Sequence, residues 1–296
     1  MRESFKSNSI HNETENLVME TKIKEVKSTD TLASEIREEG WCLIEDVLPE
    51  DRIAPIREEL ITIGQGEPEN KPFTRVIDGI TNYCASSINY IPSFAEYLAD
   101  TRMTALIENL FGPHFRVCAT STTNNSPHSD RKEWHGDQPF AGNYAGHIES
   151  PYRNTILMTI TTIWMLDPFK EENGATHLVP RSHKRETNPS YGENPSFEHF
   201  PDEIQVTGSA GSVFAFDSRM WHAGGANKTD QSRVSMVARY APWWMNQNIY
   251  IPGSTEQKIV NDDPKQRIIS YPPMPLEVYE SLPEKAKPLF RHAVRM

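Results

Sequence analysis

Cysteine is scarce in this sequence: Cys42, Cys84 and Cys118 are the three thiols among 296 residues. Their odd number and wide spacing exclude a disulfide framework and a thiolate zinc site, and leave small buried side chains in a reducing compartment as the reading. Long apolar runs are missing too. No stretch of about 18 apolar residues occurs, and Met1 to Lys24 has no apolar core of a leader peptide, so neither a spanning helix nor a cleaved signal is expected. An excess of basic charge is also lacking. Against 30 Lys and Arg stand 41 Asp and Glu, a net charge of −11, which excludes sequence-independent affinity for nucleic acid or for an anionic membrane. What remains is a soluble cytoplasmic protein with a small-molecule partner, a description that admits a homodimer.

A hydrophobic content of 37% supplies a core, and 24% charged residues is ordinary for a globular chain, so global disorder is not indicated. Residues 1–26 are polar and read as a tail; 27–296 reads as one domain, with a helical layer over 27–112, a β core over 113–245 and a proline-rich C-terminal extension over 246–296. Ser28-Thr29-Asp30 offers N-caps for a helix that Gly40 ends, and Pro49-Glu50-Asp51 opens another with Ile53, Ile56, Leu60 and Ile63 at helical spacing. Trp41 to Leu48 reads as a strand between them. Phe73 to Tyr90 has no clear period, and Ser93 to Phe111 reads as one or two helices. After Gly112-Pro113 the period changes: 115–123, 155–166, 176–179, 212–216 and 233–240 are β-branched or aromatic runs between turn residues. Helices followed by many short strands, without sustained alternation, predict a mainly β protein with flanking helices, its core a jelly roll or double-stranded β-helix of cupin type. Two long polar stretches, 140–154 and 184–205, read as functional lids or disordered segments.

The chemistry centres on Glu133-Trp134-His135-Gly136-Asp137-Gln138. In an extended segment His135 and Asp137 share a face and can aim at one point. Two ligands do not hold a metal, and His222, 87 residues downstream at the end of an apolar run, offers the third. Two imidazoles and one carboxylate form the facial triad of non-haem Fe(II) oxygenases, which keeps positions open for a co-substrate and O2. Arg233 follows His222 by 11 residues, in a clear strand with Ser235 on the same face. A guanidinium suits bidentate capture of a carboxylate, so a chelating 2-oxo acid with a remote carboxylate satisfies both the metal and the arginine.

At this point the chain resembles the phytanoyl-CoA dioxygenase family of Fe(II)/2-oxoglutarate-dependent oxygenases. The resemblance rests on Trp134-His135-Gly136-Asp137, Trp164-Met165-Leu166-Asp167, Glu172-Asn173-Gly174-Ala175-Thr176 with Val179-Pro180-Arg181-Ser182-His183, and Trp221-His222-Ala223-Gly224-Gly225 with Arg233-Val234-Ser235. It implies that His135, Asp137 and His222 bind iron and that Arg233 and Ser235 hold the distal carboxylate of 2-oxoglutarate. Thr176, Trp164 and Gly224 fall where relatives line the co-substrate pocket. Glu133 stands where some relatives carry Gln, and Thr123-Asn124-Asn125 where others carry Lys. With Asp137 in place, hydroxylation of a C–H bond is implied rather than halogenation, with succinate and CO2 as co-products and natural-product metabolism as one setting. Desaturation, epoxidation and cyclisation at the same site remain alternatives.

Other residues carry plainer expectations. His183 reads as a turn histidine; Asp217 is either a partner of His222 or a turn residue. His114, His128, His147, His177 and His199 lack a partner at ligand spacing. Tyr240, Trp243 and Trp244 read as core, and Arg131, Lys132, Arg153 and Arg181 as solvated charge. Phe140, Tyr144 and Tyr152 divide evenly between substrate contact and packing. The rival classes are a silent jelly-roll binding module, which has no chemical need for the triad together with Arg233, and a cupin-like metal isomerase or hydrolase, which needs no 2-oxoglutarate.

Overall fold

The computed structural model describes residues 26–63, 74–77, 81–137, 156–185, 197–245, 255 and 272–294. Helix α1 (Thr29–Glu39) begins where the Ser28 hydroxyl accepts the Thr31 N–H at 3.1 Å and ends at Gly40, whose φ of 90° lets its N–H reach the carbonyls of Glu35 and Ile36. Gly40 is also sterically required. A Cβ there would lie 2.6 Å from His183 Nδ1 and closer still to the Met220 sulfur. Strand β1 (Trp41–Ile44) is shorter than the run to Leu48 predicts, because Asp46 takes a positive φ of 55° and turns the chain. Helix α2 (Glu50–Ile63) is followed by the hairpin β2 (Thr74–Ile77) and β3 (Thr81–Ala85), within the stretch where no period was evident. The stretch from Ser93 becomes two helices, α3 (Ala95–Leu98) and α4 (Thr101–Phe111), because Asp100 caps the second through the Arg102 N–H at 2.9 Å.

Strands β4 (Phe115–Asn125), β5 (Ile160–Met165), β6 (His177–Leu178), β7 (Ile204–Gln205), β8 (Val213–Asp217), β9 (His222–Ala223) and β10 (Arg233–Pro242) complete two antiparallel sheets. The larger runs β1-β8-β5-β10-β4-β3-β2 and the smaller β7-β6-β9. This is the jelly-roll arrangement, with helices on the outer face of the larger sheet. Alternation decides which residues go where. Val234, Met236, Ala238 and Tyr240 of β10 enter the helix-side core with Ile36, Leu60, Phe94 and Leu106, while Phe214, Phe216, Ile163 and Leu178 pack between the sheets. The extension supplies two short helices, α5 (Leu276–Ser281) and α6 (Lys287–Phe290), whose Leu289 and Phe290 join the helix-side core.

Of the three aromatics expected in the core, Tyr240 is buried and its hydroxyl donates to the Leu98 carbonyl at 2.8 Å, but Trp243 and Trp244 are 61% and 55% exposed. Pro242 ends β10 and the chain turns away from the sheet, the Met245 N–H donating to the Pro242 carbonyl. Residues 1–25, 140–154 and most of 246–271 lie outside the described residues, and with them Phe140, Tyr144, Tyr152, His147 and Arg153.

Candidate metal centre

His135 and His222 lie opposite one another in a two-residue antiparallel bridge, each N–H donating to the other's carbonyl at 2.9 Å. This pairing sets the ring centroids 4.2 Å apart. His135 Nδ1 lies 3.1 Å from the Glu133 carbonyl and His222 Nδ1 lies 3.0 Å from that of Met220. A carbonyl only accepts, so each Nδ1 carries the proton and each Nε2 presents its lone pair. The Asp137 N–H donates to the Ser218 carbonyl at 2.6 Å, which turns the carboxylate between the rings. His135 Nε2 stands 4.0 Å from Asp137 Oδ1, and His222 Nε2 stands 3.6 Å from Oδ2. Among the described residues, these three form the one group of His, Cys, Asp and Glu with ligand atoms close enough to hold an ion, all within 4.8 Å of one another.

The protonation states suit a cation. Burial, reinforced by the neighbouring His135, brings the His222 pKa down to about 4 despite Asp137, so the ring is neutral at pH 7. Burial alone would raise the Asp137 carboxyl, but Arg239, His222 and His135 together hold it well below the usual carboxylate range. Two imidazoles and one ionised carboxylate are a donor set that fits a divalent transition metal, and the Nδ1–carbonyl bonds turn each Nε2 toward the site.

The triad borders a cavity of about 340 Å³ between the sheets, lined also by Ser235, Thr176, Gly224 and Arg233. Arg233 is 4% exposed, with its guanidinium carbon 3.9 Å from the Phe169 ring centroid. Burial lowers its pKa to about 10, so it stays cationic. Asp167, the nearest acid to influence it, is already engaged: its oxygens accept from Arg57 Nε and from the Val234 N–H, both at 2.8 Å. No carboxylate among the described residues lies within ion-pair distance of Arg233, and its Nε has no hydrogen-bond partner there. A buried cation with no carboxylate beside it among the described residues can receive an anion. The Ser235 hydroxyl is turned to the Thr123 carbonyl at 3.2 Å. At Gly224 a Cβ would meet the Lys132 side chain at 2.9 Å, so glycine lets that lysine pass along the cavity wall.

Trp164 is not brought to the cavity, contrary to the expectation from its motif. Alternation along β5 sends Thr161 and Ile163 inward and Trp164 outward, where it is fully buried edge-on to Phe94, ring centroids 5.4 Å apart. Arg131 and Lys132 are not solvated surface charge either. Arg131 pairs with Glu203 at 2.9 Å and stacks 4.8 Å over Trp134, because the segment bearing the first ligand is covered at Trp134 by Phe200, and Lys132 lines the cavity. His177 and His199 both reach Glu203, at 3.4 and 2.6 Å. Asp217 closes β8 and braces the turn after it, accepting from the Arg219 N–H at 2.9 Å and pairing with its guanidinium, and His183 sits in a buried turn, 3.3 Å from the Arg37 carbonyl. Arg181 is surface charge, paired with Glu39.

Two residues on the cavity wall were not foreseen. Arg239 holds Asp137 Oδ1 at 2.7 Å, and the Thr161 hydroxyl donates to Oδ2 at 3.1 Å. Parity was a sufficient signal for the first, since Arg239 follows Arg233, Ser235 and Val237 at every second position of one strand.

The family model described as phytanoyl-CoA dioxygenase (PhyH) matches residues 36–235. A dioxygenase of Aspergillus fumigatus, af480, is 26% identical over 70% of this chain and 64% of its own, and Alternaria alternata dioxygenase ALT11 is 27% identical over 72% of each. Among solved structures, the epimerase SnoN in complex with Fe3+, alpha ketoglutarate and nogalamycin RO superposes with a TM-score of 0.57 at 22% identity, covering 76% of this chain and 91% of that one.

Proposed function

Because this chain belongs to the phytanoyl-CoA dioxygenase family, we propose that it is an Fe(II)/2-oxoglutarate-dependent dioxygenase that hydroxylates a C–H bond of a small organic molecule, with succinate and CO2 as co-products. The observation that carries the reading is the pairing, across one cavity, of a two-histidine, one-carboxylate triad with a buried arginine that has no carboxylate partner among the described residues. His135, Asp137 and His222 hold the iron. Iron, 2-oxoglutarate and O2 supply the oxidation, and the chain's own side chains bind, orient and shield. Arg233 takes the distal carboxylate of 2-oxoglutarate in charge-assisted hydrogen bonds, with Ser235 rotating from the Thr123 carbonyl to add a donor. Thr176 and Gly224 shape the wall beside it. Phe169 covers the outer side of the guanidinium and keeps water from the ion pair.

Anaerobic addition of Fe(II) and then 2-oxoglutarate tests this directly. The weak visible charge-transfer band of a metal-bound 2-oxo acid is expected in the wild type and absent in His222→Ala. Failure of the band to form at saturating ligand would remove the assignment, and succinate release then serves as the readout for a substrate search. Product analysis separates hydroxylation from desaturation, epoxidation or cyclisation at the same site.

A further inference from the structure

The triad accounts for His135, Asp137 and His222, and Arg233 for an incoming carboxylate; Arg239 is a second cation on the same wall with no part in that scheme. It lies on β10 opposite Thr161 of β5, and these neighbouring positions each grip one oxygen of Asp137: Arg239 takes Oδ1 at 2.7 Å and Thr161 takes Oδ2 at 3.1 Å. Thr161 is itself tied to the Ser218 hydroxyl at 2.8 Å, and Ser218 accepts the Asp137 N–H. The carboxylate is therefore held at both oxygens, and the backbone of the same residue is anchored beside it.

The charge count follows. Asp137 contributes −1 and Arg239 contributes +1, so the triad together with its arginine is formally neutral, and a divalent cation bound there keeps its full +2. Without Arg239 the same site would present +1. Arg233 stands six positions earlier on the same face of β10 and lines the same cavity. A dicarboxylate with one end at the metal and the other at Arg233 thus meets positive charge at both ends.

We propose that Arg239 is a positioning residue that neutralises Asp137 and restrains its Oδ1, so that the loaded metal site retains the charge needed to capture a dianionic co-substrate. The inference rests on the iron and 2-oxoglutarate assignment made above. It predicts opposite behaviour of two affinities, which a merely structural role would not produce. Removing the guanidinium removes a repulsive charge from the metal and an attractive one from the dianion.

The test uses the full chain, with Mn(II) affinity read from the resonance of the free ion and 2-oxoglutarate affinity of the Mn(II)-loaded protein read by calorimetry. In Arg239→Gln, Mn(II) is expected to bind at least as tightly as in wild type while 2-oxoglutarate binds about tenfold more weakly. Arg239→Lys should restore 2-oxoglutarate affinity to within a few-fold. Arg239→Met, which keeps an apolar stem and drops the charge, is measured in parallel so that the result does not hang on one variant's folding. Unchanged 2-oxoglutarate affinity, or a joint fall in both affinities, overturns the proposal. Wild-type protein that binds neither Mn(II) nor 2-oxoglutarate overturns the functional assignment instead.

Discussion

Neutral imidazole is the form that ligates, and His222 is built to remain neutral: the ring is 6% exposed, stands beside His135, and gives its Nδ1 proton to the Met220 carbonyl. Its pKa of about 4 in the fold lies below the value of 6.5 expected of the unfolded chain. The unfolded state therefore binds more protons between those values, so stability present above pH 6.5 is lost as the pH falls toward 4. His292, also brought to about 4 by burial, acts in the same direction. The melting temperature of the metal-free protein is expected to drop across that window, and His222→Gln should shrink the drop by of order 3 kcal/mol in acid titrations of unfolding. Arg233 makes a different prediction. Arg233→Ala should raise the 2-oxoglutarate concentration needed for half-maximal turnover by at least about tenfold while metal affinity changes little, since the lost interaction is with the far end of the co-substrate. Steady-state kinetics at varied 2-oxoglutarate would show it, and an unchanged requirement would count against that role.

At the scale of single elements, strand parity governs both the success and the failure of sequence reasoning. Arg233 and Ser235 were expected to share a face, and they share the cavity wall with Val237 and Arg239. The same rule, applied to β5, sends Trp164 away from the cavity, and a motif resemblance placed it wrongly because similarity in sequence carries no information about which face a residue occupies. Trp164→Phe is accordingly expected to lower stability by about 1–3 kcal/mol, through lost packing on Phe94 and a lost indole hydrogen bond to the Thr162 hydroxyl, with 2-oxoglutarate affinity held within twofold. Thermal denaturation with parallel binding measurements separates these effects. The turn between α1 and β1 leaves no room for a side chain at Gly40. Gly40→Ala is expected to cost about 2–3 kcal/mol, since its positive φ of 90° and the proximity of Met220 and His183 both oppose a Cβ.

The whole molecule closes its inter-sheet space in two ways: Phe214, Phe216, Phe169 and Leu178 fill one part with apolar side chains, and the rest is the polar cavity that holds the triad and Arg233. Anything that binds this cavity in the folded state stabilises the fold by linkage. Metal and 2-oxoglutarate together, each at about 100 times its dissociation constant, should raise unfolding free energy by several kcal/mol, and His135→Ala should abolish the gain in a thermal-shift assay. The order of the helices and of the longer strands, the change from helical to strand period at Gly112-Pro113, the His135-x-Asp137 pair, its partner His222 and the arginine after it were legible in the sequence, because periodicity and ligand spacing are properties of the chain itself. The hairpin β2–β3 and the two-residue strands β7 and β9 were not, since so few residues carry no period and form only against a partner. Pairing across the sheets likewise decided what no local pattern encodes: that His135 and His222 bond backbone to backbone, that Arg131 meets Glu203 from 72 residues away, and that Arg239 and Thr161 close on the two oxygens of Asp137. Each of these depends on register between strands distant in sequence, and register is set by the packing of the whole rather than by any one segment.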